Sequence, residues 1–139
     1  MFTGTTTHSI DSKGRIVLPA CFRAELGESF YIAKGFYDCV QVLSVEEFTR
    51  LRESISALPA QAALSLQYDI LATARLVAPN SQGRVPIPAD LREVAGLDKE
   101  ASVLGMDNRL EIWDPERLRE FKDKNRLNVA EALSMLRMI

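Results

Sequence analysis

The feature that most constrains this chain is that it is written twice. The stretch Asp11-Ser-Lys-Gly-Arg15-Ile-Val-Leu-Pro19-Ala-Cys-Phe-Arg23 returns 69 positions later as Asn80-Ser-Gln-Gly-Arg84-Val-Pro-Ile-Pro88-Ala-Asp-Leu-Arg92. Six of the thirteen pairs are identical: Ser12/Ser81, Gly14/Gly83, Arg15/Arg84, Pro19/Pro88, Ala20/Ala89 and Arg23/Arg92. Ile16/Val85, Leu18/Ile87 and Phe22/Leu91 keep apolar for apolar. After a one-residue shift the match resumes, with Gly35/Gly105, Asp38/Asn108, Val42/Ile112, Ser44/Asp114, Glu46/Glu116 and Phe48/Leu118. Repetition of this kind commits a chain to copies of one supersecondary unit. The copies are expected at residues 5–48 and 74–117, joined by a helical connector over 49–73 and followed by a helical tail over 118–139.

Each copy predicts the same elements. Thr5 to Ile10 is polar and β-branched and reads as a strand. Asp11 to Gly14 reads as a turn, because aspartate bonds the backbone that follows it and glycine takes positive φ without steric cost. Arg15 to Leu18 is a short strand ended by Pro19, and Cys21 to Leu26 a short helix closed by Gly27. Phe30–Ala33 and Cys39–Leu43 form a hairpin, after which Ser44 caps a helix with Glu47 at the capping-box position. The second copy gives strand Leu76–Ala78, turn Asn80–Gly83, strand Arg84–Ile87, helix Ala89–Ala95 and a hairpin of Val103–Leu104 with Leu110–Trp113. Asp114-Pro115 then supplies a cap and a proline at the first helical position. In the connector, Phe48, Leu51, Ile55 and Leu58 fall at helical spacing up to the break at Pro59. A second helix is expected from Ala60 to Ala72 with Leu64, Leu66, Ile70 and Leu71 apolar, and the tail from Leu127 to Ile139 is amphipathic through Val129, Leu133 and Leu136. The fold class is α+β.

A domain near 60 residues buries only about 60% of its unfolded surface and is marginal alone. Each copy is smaller than that, so the two are expected to share a core, to interleave with another chain, or both, and self-association is expected on this ground. Of the 139 residues, 47% are hydrophobic and 26% charged, which suits a folded, soluble protein. No apolar run reaches the roughly 18 residues of a membrane span. The start, Met1-Phe2-Thr3-Gly4, lacks the basic and apolar pattern of a secretion signal, so a cytoplasmic location is expected. Cys21 and Cys39 are too few for a disulfide framework and lack zinc-site spacing; both are expected as reduced, partly buried thiols. No metal or cofactor is expected.

Enzyme chemistry finds little footing. His8, the single histidine, comes three residues before Asp11 without any nucleophile motif, and reads as an exposed strand residue. Ser12-Lys13-Gly14-Arg15 lacks the Gly-x-x-x-x-Gly-Lys-Ser/Thr spacing of a phosphate loop. The chain is not expected to be an enzyme. The repeated Arg15 and Arg84 say more, each following a turn glycine. A plain reading is an edge strand blunted by charge. The charge pattern favours binding instead. From Ser12 to Ala24 the charges are Lys13, Arg15 and Arg23, and from Ile70 to Ala89 they are Arg75 and Arg84, although acids outnumber bases 19 to 17 overall. The acids resume just outside, at Asp11, Asp69 and Asp90. Locally basic turn tips on an acidic body suit contacts to nucleic-acid phosphates and base edges. Arg23 and Arg92, in the short helices that follow, are expected to pair with local carboxylates.

The opening Met1-Phe2-x-Gly4, the Asp11–Arg15 turn with Leu18-Pro19, the second Gly83-Arg84-Val-Pro-Ile-Pro88 with Leu91-Arg92-x-x-Ala95-Gly96-Leu97, and Asn108-Arg-Leu-Glu-Ile-Trp113 resemble the MraZ family of bacterial transcriptional regulators. The resemblance covers both copies, about residues 1–120. It implies two tandem AbrB-like units, small swapped-hairpin (double-psi-like) β-barrels with short helices, and chains assembled into homo-oligomeric rings. It implies sequence-specific binding to direct repeats in the promoter of the division and cell-wall gene cluster, at the nucleoid, through Asp-x-x-x-Arg turns. Carried onto this chain, the DNA-binding residues are Asp11, Lys13, Gly14 and Arg15 in the first turn and Asn80, Gln82, Gly83 and Arg84 in the second. Asn80 departs from the pattern: it can form the turn but cannot hold Arg84 by an ion pair. Two other readings stay open, an antitoxin-like AbrB-type module whose helices bind a protein partner, and an oligomeric scaffold without a nucleic-acid role.

Overall fold

Strand formation follows the repeat, but strand pairing crosses it. The computed structural model describes residues 1–137. The first copy supplies β1 (Thr5–Ser9), β2 (Arg15–Val17), α1 (Ala20–Leu26), β3 (Phe30–Lys34) and β4 (Val40–Leu43). The chain then continues as α2 (Val45–Ser56), which begins within the first copy and runs into the connector, and α3 (Ala60–Asp69). The second copy supplies β5 (Arg75–Val77), β6 (Arg84–Pro86), α4 (Ala89–Ala95), β7 (Glu100–Gly105) and β8 (Leu110–Trp113), followed by α5 (Pro115–Lys124) and α6 (Arg126–Ser134).

The larger sheet has the order β1-β7-β8-β4-β3-β5 and is antiparallel throughout. Read backwards, this order replaces every strand by its counterpart in the other copy, so a pseudo-two-fold axis passes between β8 and β4. Gln41 faces Glu111 across that axis, and both are buried counterparts in the repeat. Thr5–Ser9 of the first copy pairs with Ser9↔Glu100 through Thr5↔Leu104 of the second, while Phe30↔Val77 through Ile32↔Arg75 returns the exchange. A separate ribbon joins β2 to β6, again one strand from each copy.

This exchange answers the size problem. The apolar positions that the copies share, Ile16/Val85, Leu18/Ile87 and Phe22/Leu91, all lie in one buried cluster with Phe30, Ile32, Val103 and Ile112. Neither copy encloses that cluster alone. The shared core lies within one chain, so small copy size no longer requires a partner chain. A satellite cluster forms where Cys39, Leu104, Trp113 and Leu118 meet Phe121.

The helices follow their caps. Ser44 Oγ accepts from Glu47 N at 3.1 Å, and Asp114 Oδ2 accepts from Arg117 N at 3.0 Å with Pro115 at the first helical position. In α2, Phe48 and Ile55 are buried, and Phe48 stacks on Tyr31 at 4.0 Å, whereas Leu58 is exposed. The helix expected to run to Ala72 stops at Asp69 and tightens into a 3₁₀ turn over Leu71–Thr73. That turn lets Thr73 Oγ1 accept from Lys34 N at 2.9 Å, which seats the chain beside β3. Leu64 is exposed and Ile70 is buried. The tail helix is shorter than expected and buries no side chain; Val129, Leu133 and Leu136 are exposed, and Met138 and Ile139 lie outside the described residues. Of the two thiols, Cys39 is buried but Cys21 is exposed.

Candidate nucleic-acid interface

Both turns are built by the same side-chain chemistry. Asp11 Oδ1 accepts from Lys13 N and Arg15 N, each at 2.9 Å. Asn80 Oδ1 accepts from Gln82 N at 2.9 Å and Arg84 N at 3.0 Å. An amide oxygen does this work as well as a carboxylate oxygen, so the substitution leaves the second turn intact. Gly14 and Gly83 both take φ +76°, a left-handed value at which a Cβ is strained.

The second carboxylate oxygen is where the copies differ. Asp11 Oδ2 accepts from Arg15 Nε at 2.9 Å and also from Arg84 Nη1 of the other copy at 3.3 Å. The corresponding atom of Asn80 is an amide nitrogen, which donates only. Arg84 is nevertheless held, by an ion pair across 73 positions of sequence. The β2–β6 ribbon makes this possible, because its register (Arg15↔Pro86, Ile16↔Val85, Val17↔Arg84) sets the two turns side by side. The carboxyl of Asp11 is held down to about 2, first by the Arg15 N–H, then by the Arg15 guanidinium and the Lys13 N–H, against the opposing effect of burial.

Asp11, Arg15 and Arg84 line one open cavity of about 270 Å³ with His8, Ser9 and Val17. Their side chains are 24%, 28% and 38% exposed, so the charged groups are partly shielded yet reachable. His8 bonds Thr6 Oγ1 at 2.8 Å, and burial lowers its pKa below the ordinary 6.5, so at neutral pH the cluster holds two guanidiniums against one carboxylate. Lys13 and Gln82 stand exposed at the turn tips.

Arg23 and Arg92 do something the sequence did not suggest. Among the described residues, neither pairs with a carboxylate. Each instead donates Nε to its own copy's strand end, Arg23 to Leu18 O and Arg92 to Ile87 O, both at 3.0 Å. Each guanidinium then lies over the turn glycine of the opposite copy. A methyl group at Gly14 would stand 2.5 Å from Arg92 Cζ, and one at Gly83 2.9 Å from Arg23 Cζ. The glycines are thus needed twice, for φ and for close approach. The signal was in the repeat, where Gly and Arg are both kept, but it carried no information that the pairs cross. The acid-free windows are also less free in space: Asp11 returns to Arg15 and Arg84, and Asp90 pairs with Arg75 through bonds of 2.6 and 2.9 Å.

This paired-turn geometry sits in a chain with a clear set of relatives. The family described as "MraZ protein, putative antitoxin-like" matches residues 1–67 and again 70–136. The chain is 42% identical to the transcriptional regulator MraZ of Micrococcus luteus over 118 residues, 84% of this chain and 82% of that protein. It is 43% identical to the protein of the same name from Kocuria rhizophila over 116 residues, 82% and 81% of the two chains. Against that of Acetivibrio thermocellus it is 35% identical, with 98% of this chain and 99% of the relative covered. Matched twice along its length and similar to these relatives over most of theirs, the chain belongs to the MraZ family.

Proposed function

We propose that this chain is a sequence-specific, DNA-binding transcriptional regulator, not an enzyme, that recognises direct repeats in the promoter of the division and cell-wall gene cluster, its own gene included. The observation that carries the reading is the pair of guanidiniums, one from each copy, presented side by side in one open cavity. The names of the relatives, transcriptional regulator MraZ, support the regulatory role. Asp11, Lys13, Gly14, Arg15, Asn80, Gln82, Gly83 and Arg84 form the interface. Arg15 bonds guanine in the major groove by its two Nη groups, worth about 1–3 kcal/mol of discrimination. Lys13 and Gln82, at the tips, meet phosphates. The copies at 5–48 and 74–117 act as two AbrB-like swapped-hairpin units carried by the connector at 49–73 and the tail at 118–139.

One such head is too small for promoter-level specificity. Copies of the chain assemble into a ring that presents several heads to successive DNA boxes, which raises avidity by about 10²–10⁴ without new contacts. Exposed Leu64 and Tyr68 on α3, and Leu127, Leu133 and Leu136 in the tail, support self-association. The protein works in the cytoplasm at the nucleoid; among the described residues no helix is long and apolar enough to cross a membrane, and no group of three potential metal-ligating His, Cys, Asp or Glu residues occurs.

The test is a mobility shift on the protein's own upstream region at two salt concentrations, with light scattering for assembly. A DNA binder gives a steep salt slope. Arg15→Ala should leave the oligomer intact and abolish the shift, and full retention of binding sinks the reading. Arg84→Ala should cost less, since Arg84 is held by one longer bond and is more exposed. The family description favours a second reading, an antitoxin-like module, which stoichiometric co-purification of one protein with loss of DNA binding would support.

A further inference from the structure

We propose that Asp11 is the positioning residue for the arginines of both copies, so that the two turns act as one recognition head with a single organising carboxylate. The inference rests on the DNA-binding reading for its consequence, but not for its geometry. Asp11 divides its two oxygens between two tasks: Oδ1 builds its own turn, and Oδ2 receives Arg15 Nε at 2.9 Å and Arg84 Nη1 at 3.3 Å. Asn80 performs the first task only, because its oxygen is spent on Gln82 N and Arg84 N and its remaining polar atom is a donor.

The charge-assisted bonds fix orientation as well as position. Arg15 gives up Nε and keeps both Nη groups free of protein partners among the described residues; Arg84 gives up Nη1 and keeps Nε and Nη2. Each guanidinium therefore retains a two-donor edge while its stem is anchored. Without the carboxylate, two like charges would share one partly shielded cavity and drive each other apart. A carboxylate at both turns would match the two guanidiniums one for one; the single carboxylate of Asp11 leaves the guanidinium pair with a net positive charge and still orders both arginines. Asn80 is thus the residue that leaves the two guanidiniums in excess over carboxylate.

The pseudo-two-fold axis makes this testable by exchange. In the D11N/N80D double variant the carboxylate moves to the second turn, where symmetry places it against Arg84 Nε and Arg15 Nη. Nitrogen-15 NMR of the arginine Nε–H groups, on the full chain without DNA, reads the positioning directly. D11N is expected to shift and broaden the signals of both Arg15 and Arg84, and the double variant to restore two ordered signals. An Arg84 signal unmoved by D11N overturns the proposal; so does a folded double variant in which Arg15 stays disordered. If D11N fails to fold, the double variant decides.

On the upstream fragment, D11N should lose about tenfold in affinity, the equivalent of one charge-assisted hydrogen bond. Binding to unrelated DNA should hold or strengthen, because the head gains a positive charge; a parallel loss on both DNAs counts against positioning. The two readings fail separately. If D11N moves both arginine signals while Arg15→Ala still binds the promoter, the DNA reading falls and the positioning stands. If Arg15→Ala abolishes binding while D11N leaves Arg84 in place, the reverse holds.

Discussion

Asp11 and His8 both make the fold sensitive to acid, in separate pH windows. The folded state holds Asp11 at about 2 against an ordinary 3.8, so the unfolded chain takes up the proton first as pH falls. Its contribution to stability is complete above 3.8 and disappears as pH drops through 2. An Asp11→Asn variant should therefore show a flatter stability-against-pH curve in that window, measured by urea unfolding at each pH. His8 lies lower in the folded chain than its ordinary 6.5, because burial disfavours the imidazolium. Stability is full above 6.5 and declines as pH falls through it, and His8→Asn should remove that decline. The turn glycines make a third case. Gly14→Ala places a Cβ at φ +76° and against Arg92, so a loss above the roughly 1–2 kcal/mol of left-handed strain is expected. Combining it with Arg92→Ala should relieve the excess, which a double-mutant cycle measures.

Among the elements, the turns, caps and short strands were legible because each is decided within a few residues. Ser44, Asp114, Pro115 and the Asp/Asn-x-x-Gly turns act on their own backbone, and they sit where the sequence puts them. The helices were legible only as far as their periodicity was answered by something to pack on. Phe48 of α2 stacks on Tyr31 and Ile55 is buried, but α6 buries nothing. A chain ending at Lys124 should therefore keep the urea midpoint of the full chain. A drop in midpoint would place α6 within the folded core, whereas a change confined to light scattering would place it in self-association.

For the whole molecule the consequence is cooperativity. Among the described residues β1 pairs only with the second copy's β7 and β5 only with the first copy's β3, and one cluster holds both sets of apolar residues. The intact chain should unfold in a single transition, the same by circular dichroism and by Trp113 fluorescence. A fragment of residues 1–69 should not give the dispersed NMR spectrum of a folded monomer, since its core partners lie beyond its end; a well-dispersed monomeric spectrum would refute the shared core.

The sequence by itself determined the two-fold repetition, the turns with their glycines, the helix caps and the identity of the two arginines, because each depends on spacing within a copy or on likeness between copies. It also carried the loss of the second carboxylate at Asn80. Only the tertiary structure decided that the copies exchange strands, that one carboxylate serves both arginines, and that Arg23 and Arg92 press on each other's turns rather than on acids. Those contacts join residues of different copies that are far apart in sequence. A repeat states that two sites are alike; whether each copy completes itself or its twin depends on which pairing closes the core.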